Sequence, residues 1–174
     1  MDVVVVTREA SPDEWETMRD VRLTALREAP DAFGSTYARE AEFTEERWRA
    51  RFSPRSVTYF AYLSGAGPAD PGEPAGIAGV FEADGAPDLV SMWVRPSARG
   101  QRAGEALVTA CAGWARGRGH AELFLWVTES NYAARRLYER CGFSATGERQ
   151  PLPSDPSLTE IRMRRDLSLA GDAG

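Results

Sequence analysis

The chain has 174 residues, 43% of them hydrophobic and 27% charged, with a formal net charge of −5. That length predicts one domain with a real core over residues 1–168 and a frayed tail at 169–174. The acidic balance argues against a general nucleic-acid binder, and no apolar run approaches the roughly 20 residues that cross a membrane, so neither partner is expected.

Val3–Val6 is flanked by Asp2 and by Arg8-Glu9, which reads as an opening strand over residues 2–8 and not as a signal peptide. Ser11-Pro12-Asp13-Glu14 supplies an N-cap, a proline at the first helical position and a capping-box glutamate. Trp15, Met18, Val21, Arg22, Ala25 and Leu26 then continue at helical spacing to about Arg27. The segment from Ala29 to Ser35 breaks that pattern, and Thr44-Glu45-Glu46-Arg47-Trp48 starts a second, shorter helix. Val57–Leu63 is a strand by its β-branched and aromatic content. Ser64–Pro74, rich in Gly, Pro, Ala and Asp, reads as a mobile hairpin loop. Ala75–Glu82 and Leu89–Val94 are two further strands, and Gln101–Arg118 is a helix with Leu107, Ala110, Cys111 and Trp114 on one face. Ala121–Val127 has the apolar content of a strand buried on both sides. Asn131–Arg140 is a short helix stopped at Gly142. Phe143–Gly147 and Thr159–Leu167 are the last two strands, joined by a proline-rich loop at Pro151–Pro156. The order β-α-α-β-β-β-α-β-α-β-β predicts a mixed sheet flanked by helices, an α/β (α+β) fold.

The two cysteines, Cys111 and Cys141, are too few for a disulfide framework and lack metal-ligand spacing. They read as reduced packing residues of a cytoplasmic protein, and no metal is expected. All 21 basic residues are arginine, which excludes a lysine nucleophile or Schiff base.

Two blocks carry the chemistry. In the first, an apolar strand ends at Val94-Arg95-Pro96, and a turn holding Arg99-Gly100-Gln101-Arg102-Ala103-Gly104 leads through Glu105 into a helix. Unsatisfied N–H groups and the positive end of the dipole make a helix N-terminus an anion site, and glycine lets a ligand approach the backbone. The second block is Asn131-Tyr132-Ala133-Ala134-Arg135-Arg136-Leu137-Tyr138-Glu139-Arg140-Cys141-Gly142-Phe143.

In order and spacing these blocks resemble the coenzyme A-binding turn (Arg-Gly-x-Gly-x-Gly/Ala) and the Asn-x-x-Ala-x-x-Leu-Tyr-x-x-x-Gly-Phe pattern of the GNAT superfamily of N-acetyltransferases. The resemblance is good over residues 75–147 and loose before them. It implies a GNAT-like mixed central sheet of about seven strands flanked by about four helices. The middle glycine of the turn is replaced by Arg102. A position needing positive φ would strain an arginine; a helical one would tolerate it, and the helical reading is favoured because the helix should already be starting there.

The resemblance further implies acetyl-CoA as co-substrate, with the pantetheine arm between two splayed parallel strands. Backbone groups at Met92, Trp93 and Val94 would bond the arm and polarise the thioester carbonyl, an interaction worth roughly 3 kcal/mol in comparable sites. Arg99, Gly100, Gln101, Arg102, Ala103, Gly104 and Glu105 would hold the pyrophosphate. Asn131 would contact the arm or support the turn, with Ala134 small enough to let the arm pass. Tyr138 would bind at the thioester and act as the catalytic acid to the leaving thiolate, since a phenol is reasonably matched to an alkyl thiol; packing on an amphipathic helix is the plain alternative.

No residue is named as base. Glu40, Glu42 and Glu82 are candidates, as is a water chain, although each glutamate reads more simply as a solvated charge. His120, the only histidine, reads as a turn residue at the far end of the sheet. Arg135 and Arg136 are either phosphate contacts or a solvated face. Trp93 and Trp126 lie on the strands expected to splay, so either packs the core or lines the acceptor pocket. The expected activity is N-acetylation of a small-molecule amine. The alternatives are a protein or peptide acceptor, or a non-catalytic acyl-CoA-binding regulatory domain. Family habit adds a homodimer as an option.

Overall fold

The computed structural model describes residues 3–64 and 72–168. The expected tail at 169–174 and most of the Gly- and Pro-rich loop lie outside the described residues. Seven strands form one sheet: β1 (Val4–Glu9), β2 (Ser56–Ser64), β3 (Gly76–Ala83), β4 (Ala86–Val94), β5 (Glu122–Thr128), β6 (Ser144–Leu152) and β7 (Asp155–Asp166). Their spatial order is β1-β2-β3-β4-β5-β7-β6. Neighbours are antiparallel except β4 and β5, which run parallel. The helices among the described residues are α1 (Trp15–Glu28), α2 (Tyr37–Glu40), α3 (Glu45–Arg49), α4 (Ala103–Gly117) and α5 (Tyr132–Arg140). This is the mixed α+β architecture expected, with one extra helical turn. That turn, α2, starts where the Thr36 hydroxyl accepts a hydrogen bond from the Arg39 N–H at 3.2 Å, a local cap invisible to hydrophobic periodicity.

Alternation along the strands sends side chains to two cores. On one side Met18, Val21, Ala25 and Leu26 of α1 pack with Trp48, Phe60, Ile77 and Trp93. On the other, Leu107, Val108 and Cys111 of α4 pack with Ala61, Ala78, Val80, Leu123 and Leu125. The start of the first helical segment is secured as the sequence implied, for the Glu14 carboxylate accepts the Ser11 N–H at 2.8 Å.

Three boundaries differ from expectation. β3 and β4 meet in a tight hairpin at Asp84 (φ +51°) and Gly85 (φ +80°), so β4 begins at Ala86 and not at Leu89. An Asp-Gly pair with both residues at positive φ has the twist that antiparallel strands need. The proline-rich stretch 151–156 is a tight hairpin and not an open loop: only Pro153 and Ser154 turn, while Pro151 belongs to β6 and Pro156 to β7. β6 lies at the sheet edge, where a missing N–H costs no ladder bond, and Pro156 sits at a strand start. The expected helix at Gln101 begins only at Ala103.

Candidate active site

The site forms where β4 leaves β5. Their ladder comprises only the pairs Asp88↔Phe124 and Leu89↔Leu125. On the other side, the β4 register against β3 jumps between Ile77↔Trp93 and Gly79↔Val90, so Ser91 and Met92 face Ala78 together, a bulge. Ser91 takes φ +60°, and its hydroxyl accepts a hydrogen bond from Arg22 Nη1 at 3.2 Å. The bulge bends β4 away from β5, and a cavity of about 670 Å³ opens there.

That cavity is walled by Met92, Trp93 and Val94 of β4, by Arg99, Gly100, Arg102, Ala103, Gly104 and Glu105 at the start of α4, and by Asn131 and Ala134 of the α5 start. Eleven of the thirteen residues expected at the site therefore meet in one place. Gln101 is not among the lining residues; its amide reaches back to the Ser97 carbonyl at 3.4 Å. Tyr138 lies one cavity further on. No side chain caps α4, and Ala106 is the first residue whose N–H meets a helical carbonyl, that of Arg102. The preceding N–H groups are the ones a helix cannot satisfy internally.

Arg102 corrects the expectation of helical geometry. It is the N-cap of α4 with φ +66° and ψ +14°, the left-handed conformation that costs a non-glycine residue roughly 1–2 kcal/mol. The turn thus keeps the glycine-like backbone at this position without the glycine.

Four of the five charged residues lining the cavity pair with one another. Arg99 Nη2 donates to Glu28 at 2.8 Å, and Arg99 Nε donates to the Val94 carbonyl. Glu28 also accepts the Trp93 indole N–H at 2.8 Å. That indole bond first, and then Arg99, holds the Glu28 carboxyl below the usual range despite partial burial. Arg140 faces Glu105 at 3.4 Å. Glu28, Ala32, Leu137 and Arg140 line the cavity without having been singled out in the sequence. For Leu137 a signal existed, since it sits three positions after Ala134 on one helical face. Glu28 gave none, because its reach depends on how α1 docks. Asn131 caps α5, its Oδ1 accepting the Ala134 N–H at 3.2 Å. Arg135 turns to the Glu129 carbonyl at 2.9 Å, and Arg136 is exposed.

A second cavity, about 260 Å³, adjoins the first, with Ala32 and Met92 lining both. Tyr138 lines it together with Arg22, Phe33, Ser91, Trp126 and Glu160. Tyr138 is only 5% exposed and stands edge-on to Phe143 at 5.8 Å. Burial, with smaller contributions from Cys111 and Cys141, raises its pKa, so the phenol keeps its proton well above neutrality. Trp126 thus lines the smaller cavity, while Trp93 packs under α1 and walls the larger one.

The candidate bases separate clearly. Glu40 is 2% exposed and receives Arg22 Nε and Nη2 at 3.0 and 2.9 Å, with Arg51 Nη2 at 3.0 Å. Burial pushes its carboxyl up, but the two arginines outweigh burial and hold it low. Glu82 pairs with Arg118 and His120 at the β3–β4 hairpin end of the sheet, where Arg118 first and His120 second pull its pKa to about 2. His120 therefore sits beside Glu82 in the connection between α4 and β5 and lines neither cavity. Glu42 is exposed. None of the three lines either cavity. Among the described residues no group of His, Cys, Asp and Glu is placed to hold a metal ion, and no helix is long and apolar enough to cross a membrane.

Two parallel strands thus part beside a bare helix N-terminus. The profile of the acetyltransferase (GNAT) family matches residues 18–143, and the chain belongs to that family. A mycothiol acetyltransferase from Stackebrandtia nassauensis is 42% identical over 57 residues, a stretch covering 33% of this chain and 19% of that protein. Among solved structures, an acetyltransferase of the GNAT family from Streptococcus pneumoniae superposes with a TM-score of 0.74 at 20% identity, covering 94% of this chain and 99% of that one. The ribosomal-protein-S18-alanine N-acetyltransferase from Escherichia coli superposes with a TM-score of 0.67 at 19% identity, covering 98% and 99%. Both share the fold.

Proposed function

We propose that the protein moves an acetyl group from acetyl-CoA to the amine of a small-molecule acceptor, by direct attack in a ternary complex. The observation that carries this reading is the pair of adjoining cavities: one lies on the uncapped N-terminus of α4, the other on Tyr138. The first fits an anionic, elongated ligand. The N–H groups from Arg99 to Glu105 would hold its pyrophosphate, and the Met92–Val94 backbone would polarise the carbonyl of its acyl group. Bound acetyl-CoA supplies the activated acetyl thioester. Tyr138, kept neutral by burial, would hand its proton to the departing sulfur. The modest volume on the acceptor side favours a small amine, and the relative named a mycothiol acetyltransferase points the same way.

The deciding experiment is a thermal-denaturation titration with acetyl-CoA, followed by thiol release across a panel of small amines and short peptides. A saturable rise in Tm is expected, with turnover on small amines. No rise up to millimolar acetyl-CoA would remove the reading. Turnover confined to peptides would move the acceptor to the protein class.

A further inference from the structure

Two carboxylates line the acceptor-side cavity and a third, Glu40, lies behind its wall; two of the three already have cations. Glu40 sits behind Arg22 and is clamped by Arg22 and Arg51. Asp88 lies 2.9 Å from Arg162 Nη1. Glu160, on β7, is different. It is 6% exposed and lines the cavity that Tyr138 lines. Among the described residues its carboxylate has one hydrogen-bond partner, the Gln150 amide on β6, at 2.5 Å. Its neighbour across the ladder, Thr128 on β5, gives its hydroxyl proton to the Asp31 carbonyl instead. The charged and titratable groups facing the same cavity are Arg22 from α1, Asp88 from β4 and Tyr138 from α5. The only cation among them is already committed to Glu40.

A buried carboxylate held by an amide and by no cation is costly to keep ionised. An incoming ammonium would supply the missing counter-charge where the reaction needs the amine. We infer that Glu160 receives the acceptor's ammonium and removes its proton. The inference rests on the acetyl-transfer reading and names its acceptor class: a primary amine that enters as a cation. Burial raises the Glu160 carboxyl above its ordinary range, with Gln150 opposing, which brings it nearer the affinity for protons that a base at neutral pH requires.

The protons balance. The ammonium gives one proton to Glu160, which passes it to solvent. The freed nitrogen pair forms the N–C bond to the acetyl carbon, the C–S bond breaks with its electron pair on sulfur, and Tyr138 protonates that sulfur. The nitrogen's second proton restores Tyr138. One proton is released per acetyl transferred.

The test compares the whole protein with Glu160→Gln and Glu160→Asp, using the best small amine from the panel. Glu160→Gln should lower kcat/KM for the amine about 100-fold and flatten the acidic limb of its pH profile, with the acetyl-CoA-induced rise in Tm unchanged. By calorimetry in the presence of CoA, which cannot react, the variant should bind the amine about tenfold more weakly. Glu160→Asp should retain the acidic limb at reduced rate. An active wild type whose Glu160→Gln variant keeps its rate and pH profile would overturn the role of Glu160 and leave acetyl transfer standing. A wild type with no acetyl-CoA response would overturn both. Loss of the folded state in both variants would assign Glu160 to the fold and also overturn the inference.

Discussion

Tyr138 and Arg102 show how differently single residues can serve one site. Tyr138 is buried beside Phe143 with its pKa raised, so it stays protonated across the physiological range, and under the proposed mechanism removal of the hydroxyl should disable it. Tyr138→Phe should keep the acetyl-CoA-induced Tm rise and lower kcat about 100-fold, measured by thiol release. An unchanged kcat would return Tyr138 to a packing role. Arg102 instead holds a strained backbone at the edge of the larger cavity. Arg102→Gly relieves that strain and should stabilise the fold by up to about 1 kcal/mol, with glycine's extra unfolded-state entropy offsetting part of the gain. If strain is retained for the sake of the guanidinium, the same variant should bind acetyl-CoA several-fold more weakly. Urea unfolding and the Tm titration read the two effects separately. The sequence showed where Arg102 stands but not its φ, because a helix N-cap and a first helical residue differ by one position. Tyr138 and the α4 turn were legible because their neighbours are contiguous in the chain. Glu160 was not, since only the β5–β7–β6 pairing brings it to Tyr138.

At the scale of elements, the site depends on β3 and β4 being shaped together. The bulge at Ser91–Met92 lies opposite Ala78, and Gly79 beside it approaches β2 so closely that a Cβ would come within 2.6 Å of the Val57 carbonyl oxygen. β2 and β3 each have strands on both sides, so neither backbone can yield cheaply. Gly79→Ala should therefore cost about 1–3 kcal/mol, seen as a lower urea midpoint at unchanged slope. A neutral Gly79→Ala would mean that β2 can move and that the bulge is not clamped from behind. Gly104 is the useful contrast. A Cβ there meets only the tip of Leu137, at 2.9 Å, a side chain that can turn aside. Elements with strong local signals, such as the Ser11 cap, the α5 block and the apolar β5, were readable from the sequence. The β6–β7 hairpin was not, because proline reads as a breaker until the strand is known to be an edge.

For the whole molecule, the arrangement of ion pairs predicts how stability responds to acid. The Glu14, Glu28, Glu40 and Glu82 carboxyls are all held below the ordinary value of 4.5, Glu82 at about 2. A depressed folded-state pKa contributes stability that is complete above the unfolded value and is lost as pH falls through the folded one. Asp88 and Glu160, both raised chiefly by burial, act in the opposite sense and gain from protonation first. Stability should therefore hold or rise slightly as pH drops from 7 toward 5, then fall below about 4.5. Magnitude decides which pair dominates. Exposed pairs are worth about 0–1 kcal/mol, whereas breaking a buried pair costs about 3–5 kcal/mol, and only Glu40 carries two arginines at 2% exposure. Against a total of about 5–15 kcal/mol, protonating Glu40 is the largest single step of the acid decline, though other carboxyls must add to it to unfold the chain. It would also release Arg22, which holds Ser91 at the bulge, so the site should loosen with the fold. Glu40→Gln should be destabilised at pH 7 and show a much flatter decline between pH 5 and 3, measured by urea midpoints. An acid decline as steep in Glu40→Gln as in the wild type would place the acid-sensitive contact elsewhere.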